Sequence, residues 1–498
     1  MLYLVPMVFC SVSDLDMQQH SKSSMSVSRR SFLRSTSCGF GSLALSALLQ
    51  QQSGAAGPVP SKTKGSPLAA KPPHFPARAK RIIFLFMQGG PSQMDLYDHK
   101  PELKKRSGAE LPYELPETEA TVGLENTRLL GPVSGFKHAG KCGLLMSDLL
   151  PETAKHADDL CVLRAVQADS PNHPVAIRQM HTGNLFDTVP SMGSWLSYGL
   201  GTENQQLPSY ITILPREGER NYSSAFLPAI HQGTAIQSVG SAPNKAPIRH
   251  LIDRSISESA QRRRIDLIQR MNRQQLDRLA ADQQMEGVIE SFELAFRMQR
   301  ETPKLVDLSS ESKATQSLYG IGEKQTDTFG RQCLLARRFA EAGVRFVQVS
   351  LQGWDHHGKI AAGLRKECAT SDKPVAGLLT DLKARGLLED TLVLWGGEFG
   401  RTPHTQILDG NVKAPGREHN HHGFTMWMAG GGVKGGITHG VTDDFGYYGI
   451  KDQVHINDLH ATMLHLMGLD HERLTFEHHG RPFRLTDVAG NVVKEILA

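Results

Sequence analysis

Apolar residues fall in short runs separated by amphipathic stretches. Arg81–Met87 reads RIIFLFM and ends in Gln88-Gly89-Gly90-Pro91-Ser92, the pattern of a buried strand running into a turn. Leu160–Val166 (LCVLRAV) and Tyr210–Leu214 predict two more strands. Residues 172–183 (NHPVAIRQMHTG) predict a helix closed by Gly183. Residues 250–300 change character. They are rich in Arg, Gln and Glu, with Ile265, Ile268, Leu276, Leu279, Ile289, Phe292 and Phe296 spaced mostly three and four apart, which predicts one or two amphipathic helices. A helix-then-strand rhythm follows. Gln332–Ala342 is helical, and the strand Val344–Leu351 runs into Gly353-Trp354-Asp355. Val375–Arg385 is helical, and the strand Thr391–Trp395 runs into Gly396-Gly397-Glu398. Phe424–Ala429 is a strand and Asn457–Met467 a helix. This alternation predicts an α/β fold: a mostly parallel central sheet, helices on both faces, and a helical insertion at about 250–302.

Composition narrows the picture. In 498 residues, 55 Lys and Arg face 51 Asp and Glu, a net charge of only +4, which argues against binding nucleic acid by bulk charge. The basic stripe Arg262–Arg264 has no interleaved aromatics and reads as a solvated helix face. Four cysteines, Cys142, Cys161, Cys333 and Cys368, follow the N-terminal region with no CxxC spacing, which rules out a zinc ribbon. No run of 18 or more apolar residues occurs, so no transmembrane span is expected.

The N-terminal stretch reads as an address. SRRSFLR at 28–34 precedes the short apolar run FGSLALSALL and the small residues SGAAG at 53–57. Arg29 and Arg30 with Phe32 and Leu33 resemble the twin-arginine export signal, which implies a periplasmic or extracellular protein. Residues before Met25 read as sequence ahead of that signal. Residues 1–56 are thus expected to be the signal region, 57–79 a Pro-, Lys- and Ala-rich linker, and 80–498 the folded domain.

Chemistry is expected beyond the carboxyl ends of the strands. Of 22 histidines, nine lie in residues 1–350 and thirteen in 351–498. The first strand ends in GGPSQMD, offering Ser92 and Asp95. Later ends carry GWDHHGK, GGEFGRTP and GREHNHHG, offering Asp355, His356, His357, Glu398, Arg401, His419, His421 and His422. Asp355, His357, Glu398 and His419 form the expected metal set, with Asp95 a weaker member. Mixed carboxylate and imidazole donors suit Zn, Mn or Fe. Asp355 and His357 flank His356, so the middle ring is expected to point elsewhere. Ser170 opens the 172–183 helix and is the first candidate nucleophile, with Ser92 the second. Asn172, His173 and Arg401 would stabilise developing charge. Ser170 or Asn172 is equally well read as that helix's N-cap.

Taken together, GGPSQMD, the NH…TG helix, GWDHH, GGEFGRTP, GREHN, AGGGVKGG and DLHATMLHLMGLDH resemble the bacterial family catalogued as domain of unknown function 1501. That family is similar to the sulfatases and alkaline phosphatases. The resemblance implies an alkaline-phosphatase-like sheet and a site for one or two metal ions beside a nucleophile, with Zn, Mn or Ca expected. Three departures stand out. Met87 and Gln88 occupy the place of a metal-binding Asp at the end of the first strand. Phe399 replaces a ligand after Glu398. No Cys-x-Pro-Ser-Arg or Ser-x-Pro-Ser-Arg is present, so a formylglycine sulfatase is not supported.

Two readings follow. In the first, the chain is an exported metal-dependent hydrolase of phosphate or sulfate esters, acting on a small molecule or a polysaccharide. In the second, the fold persists without catalysis as a periplasmic metal- or ligand-binding or assembly protein. A zinc peptidase has little support, since no HExxH occurs.

Overall fold

Alternation within the first apolar run decides the layering. In β1 (Arg81–Gln88), Ile83, Leu85 and Met87 enter one core and Ile82, Phe84 and Phe86 the other, because successive strand side chains face opposite sides. All six are fully buried, so this strand is covered on both faces, as parallel sheets require. The computed structural model describes residues 67–115, 123–124, 126–215, 218–237, 255–276, 283–408 and 412–498. The twin-arginine stretch expected at 1–56 lies outside them.

Nine strands make the central sheet of the described residues. The others are β2 (Leu160–Gln167), β3 (Tyr210–Ile213), β4 (Thr234–Ile236), β5 (Phe346–Gln352), β6 (Thr391–Gly396), β7 (Phe424–Ala429), β8 (Ile437–His439) and β9 (Val454–His455). Their order is β8-β2-β7-β6-β1-β5-β3-β4, with β9 also paired to β2. Every pairing is parallel except those of β7, which runs against both β2 and β6. Trp427 of β7 and Trp395 of β6 sit opposite each other with rings stacked at 6.0 Å.

Seven helices matter here: α1 (His173–Thr182), α2 (Met192–Leu200), α3 (Glu258–Leu276), α4 (Gln283–Val306), α5 (Asp327–Glu341), α6 (Ile360–Ala384) and α7 (Ile456–Leu466). Ile177, Met180, Trp195, Leu459 and Met463 bring α1, α2 and α7 to the Phe84 side. Phe329, Phe339, Leu364 and Leu378 bring α5 and α6 to the Leu85 side. The expected insertion is the pair α3 and α4, joined by Arg262 to Glu293 at 2.9 Å and by Gln269 to the Ile289 carbonyl at 2.8 Å. Gly183 closes α1 at φ 71, as its sequence predicts.

Two boundaries differ most from expectation. Helix α6 starts at Ile360, not Val375, and continues through Pro374. Proline removes one helical hydrogen bond, and a single lost bond is outweighed by Leu364, Cys368, Val375 and Leu378 burying along one face. The segment expected to be linker up to residue 79 is docked from Leu68 onward. Leu68 is buried, Lys71 N–H donates to the Leu200 carbonyl at 3.0 Å, and Arg78 and Ala79 N–H both donate to the Leu466 carbonyl at 2.9 Å. Cys142, Cys161, Cys333 and Cys368 are all free thiols, three of them buried. No helix of the described residues is long and apolar enough to cross a membrane.

Phe84 sits fully buried at the centre of the second core. Phe84→Ala is expected to cost about 3–5 kcal/mol, read as a lower urea midpoint; a midpoint unchanged from wild type would contradict the two-core layering.

Candidate metal centre

The centre forms where the exits of β1, β5 and β6 meet. Gly89 follows β1 at φ 118, and a Cβ there would lie 2.5 Å from the Asp355 backbone nitrogen. Only glycine permits so close an approach in that conformation. Trp354 N–H donates to the Gln88 carbonyl at 3.3 Å, and the Trp354 ring is fully buried. Asp355 and His357 are thereby held beside the β1 turn. His173 is the first residue of α1. His419 arrives on a short antiparallel pair, His419–Asn420 with Gly400–Arg401, opposite Arg401.

One ligand atom from each of His173, Asp355, His357 and His419 lies within 4.8 Å of the others. His357 Nε2 is 2.9 Å and His419 Nε2 3.3 Å from Asp355 Oδ1, and His173 Nε2 is 3.2 Å from Oδ2. The histidines are mostly buried, while the Asp355 side chain is 44% exposed, so the centre opens on the Asp355 side. Each ring is tied at its other nitrogen. His173 Nδ1 is 2.5 Å from Glu398 Oε1, His357 Nδ1 2.5 Å from Gln406 Oε1, and His419 Nδ1 2.7 Å from the Pro171 carbonyl. Those three oxygens accept, so Nδ1 carries a proton in each ring, and an Nε2 that gives up its own proton would offer a lone pair on the Asp355 side. His173 Nε2 is buried and makes no aligned hydrogen bond. Lone pairs and a carboxylate converging on one point call for a cation.

The surrounding charges agree. Asp95, Asp355, Glu398 and Glu418 meet the guanidinium groups of Arg401 and Arg417 here. Carboxyl groups thus outnumber guanidiniums four to two around the centre, which favours a cation. With no cation bound, protons take that place. His173 is lifted to about 9: burial pulls it down, but Asp355 and Glu398 outweigh burial. His357 is raised against burial by Asp355, and His419 is lowered, chiefly by burial. Burial pushes Asp355 up, yet the three histidines and Arg401 hold it far below the usual carboxylate range.

The residues singled out in the sequence part company in the structure. Asp355, His357 and His419 converge, joined by His173, which the sequence assigned to charge stabilisation. Glu398 stands behind His173 instead of among the converging atoms, both its oxygens 3.1 Å from Gly89 N–H. Asp95 sits in a fully buried ion pair with Arg417 at 2.9 Å and accepts from Ser92 Oγ at 2.6 Å, so both it and Ser92 serve the β1 turn. Arg401 is fully buried. It donates to Asp355 Oδ1 at 2.5 Å, to the Gly90 and Arg417 carbonyls at 3.0 Å, and to the Gly89 carbonyl, which leaves it turned into the protein and not toward a substrate. Ser170 and Asn172 lie on the turn into α1, where Ser170 Oγ accepts from Asn172 N–H at 3.1 Å. Asn172 occupies the N-cap position without a side-chain cap bond.

His356 turns away, its ring packed where Gly363 of α6 leaves room. The His421 and His422 rings lie 4.0 Å apart and tilted, and His422 lies 4.9 Å from the Tyr448 ring. Several later histidines are structural. His455 caps α7 and pairs with Asp169 at 3.0 Å, and the fully buried His460 holds the Met180 carbonyl at 2.8 Å. Gln406 and the Pro171 carbonyl escaped sequence reading, since a lone amide and a backbone oxygen leave no spacing signal. Phe399 is fully buried, its ring 4.7 Å from His173 and 4.4 Å from His419.

Three solved structures to which the chain is similar are a lipoteichoic acid synthase from Listeria monocytogenes, a sulfatase from Pseudoalteromonas sp. and the alkaline phosphatase of the Antarctic bacterium TAB5. The first is 9% identical over 81% of this chain and 76% of that one, with a TM-score of 0.34. The second is 13% identical over 79% and 68%, at 0.33. The third is 8% identical over 79% and 99%, at 0.31. Scores this low establish no shared activity, and the α/β class stands on the strand order above. No curated protein matches the chain. The family described as "Protein of unknown function (DUF1501)" matches residues 79–497.

A histidine raised above its unfolded value of 6.5 stabilises the fold below that pH and loses the contribution as pH rises through its folded value. The metal-free chain is therefore expected to lose stability between about pH 6.5 and 9 through His173. Zinc should raise the Tm more at the top of this window than at the bottom. A metal-free Tm that falls across this window equally in wild type and in His173→Gln would sink the assignment.

Proposed function

We propose that this chain, which belongs to the family DUF1501, is an exported hydrolase of phosphate or sulfate esters working with one divalent metal ion. The observation that carries this is the convergence of three imidazole nitrogens and one carboxylate within 4.8 Å, each ring locked through its far nitrogen. His173, Asp355, His357 and His419 would hold the ion. Three imidazoles and a carboxylate suit zinc or manganese, whereas calcium takes oxygen ligands and fits this set least. A bound divalent cation supplies Lewis acidity toward an ester oxygen.

The chain's own groups supply the rest. Ser170 is the better placed serine: it lies on the turn that leads into His173, while Ser92 is buried with its hydroxyl donating to Asp95. Asn172, exposed on the same turn, is the candidate donor to the ester oxygens. Export by the twin-arginine route, carried by Arg29 and Arg30, belongs to the same proposal, as does a small-molecule or polysaccharide ester as substrate.

One observation favours the second reading, a binding protein without turnover. Arg401, which touches Asp355, is fully buried and spends four of its five N–H donors on protein acceptors, so it is poorly placed to meet an anionic ester.

Elemental analysis of purified protein is expected to find one zinc or manganese per chain. The loaded protein should hydrolyse p-nitrophenyl phosphate or p-nitrophenyl sulfate, and His357→Ala should lose both the metal and the turnover. Bound metal without hydrolysis of either ester would select the second reading; protein that binds neither ion would end both.

A further inference from the structure

We infer that Glu398 and Gln406 are positioning residues that set the orientation and donor strength of His173 and His357 at the metal centre. The inference rests on the metal-binding reading above.

Glu398 is fully buried, and a carboxylate in such a place is costly without a partner. Packing alone would be served by a neutral side chain. The structure gives the charge two partners, the Gly89 N–H and, at 2.5 Å, His173 Nδ1. A carboxylate accepting from the far nitrogen fixes the tautomer and enriches the electron density at Nε2, the atom that faces the centre.

Gln406 does the same by a dipole. It is 2% exposed, with its Nε2 2.5 Å from Glu418 Oε2 and its Oε1 facing His357 Nδ1. Because Glu418 can only accept, the amide has one orientation, and it presents oxygen to His357. Glu418 thus fixes Gln406, and Gln406 fixes His357. His419 has the weakest support, the neutral Pro171 carbonyl. The three rings are graded: His173 is backed by a full charge, His357 by an amide set against a charge, and His419 by a peptide group.

The test is zinc affinity of the full chain, measured by competition with a chromophoric chelator, together with the visible absorption of cobalt-loaded protein. Glu398→Gln keeps the shape and removes the charge; Gln406→Leu keeps the volume and removes the acceptor. Each is expected to weaken zinc binding roughly 10–100-fold and to shift the cobalt bands, with circular dichroism unchanged. Should Glu398→Gln fail to fold, Gln406→Leu and Glu418→Gln decide. Folded variants that bind zinc like wild type with unshifted cobalt bands would overturn this inference alone. A wild-type chain that binds no zinc or cobalt would overturn it together with the metal centre.

Discussion

Everything at the centre depends on one arrangement: the half-exposed Asp355 carboxylate held between the buried Arg401 guanidinium and three imidazoles. Arg401 reaches it from a fully buried position braced by the carbonyls of Gly90 and Arg417. That brace joins the turn after β1 to the loops after β5 and β6. The close passage at Gly89, where a Cβ would meet the Asp355 backbone, lets those loops come near enough for it. Breaking the brace would leave a buried guanidinium unpaired, which costs far more than a surface ion pair contributes.

Much of the fold was legible in the sequence because the sheet is buried on both faces. Continuous runs such as RIIFLFM and TLVLWG carry that signal without ambiguity. The direction of β7 was not legible, since a short apolar run reads alike in either orientation. The start of α6 was hidden by Pro374, a local rule overridden by tertiary burial. The docking of residues from Leu68 was hidden too, because Pro and Lys composition reports chain stiffness and charge, not the carbonyls of Leu200 and Leu466 that the segment meets.

At the site, strand-end reasoning led to Asp355, His357 and His419, since the topology gathers strand ends. It could not separate ligand atoms from the groups behind them. Glu398 and His173 show why. Both are polar residues beside glycine turns or helix starts, and only geometry reveals that one presents its acid to the other's Nδ1. Arg401 was read as stabilising developing charge on a substrate; its carbonyl partners are backbone atoms, invisible to sequence.

The converging side chains come from segments far apart along the chain: the start of α1, the exit of β5 and the approach to β7. No disulfide ties the four described cysteines. A cation bound there would act as a cross-link, closing long loops that the unfolded chain leaves open. Its binding energy would then count as folding stability, and the loaded chain would open less often to proteases in whatever compartment it works. The same atoms that bind the cation would set the lifetime of the protein.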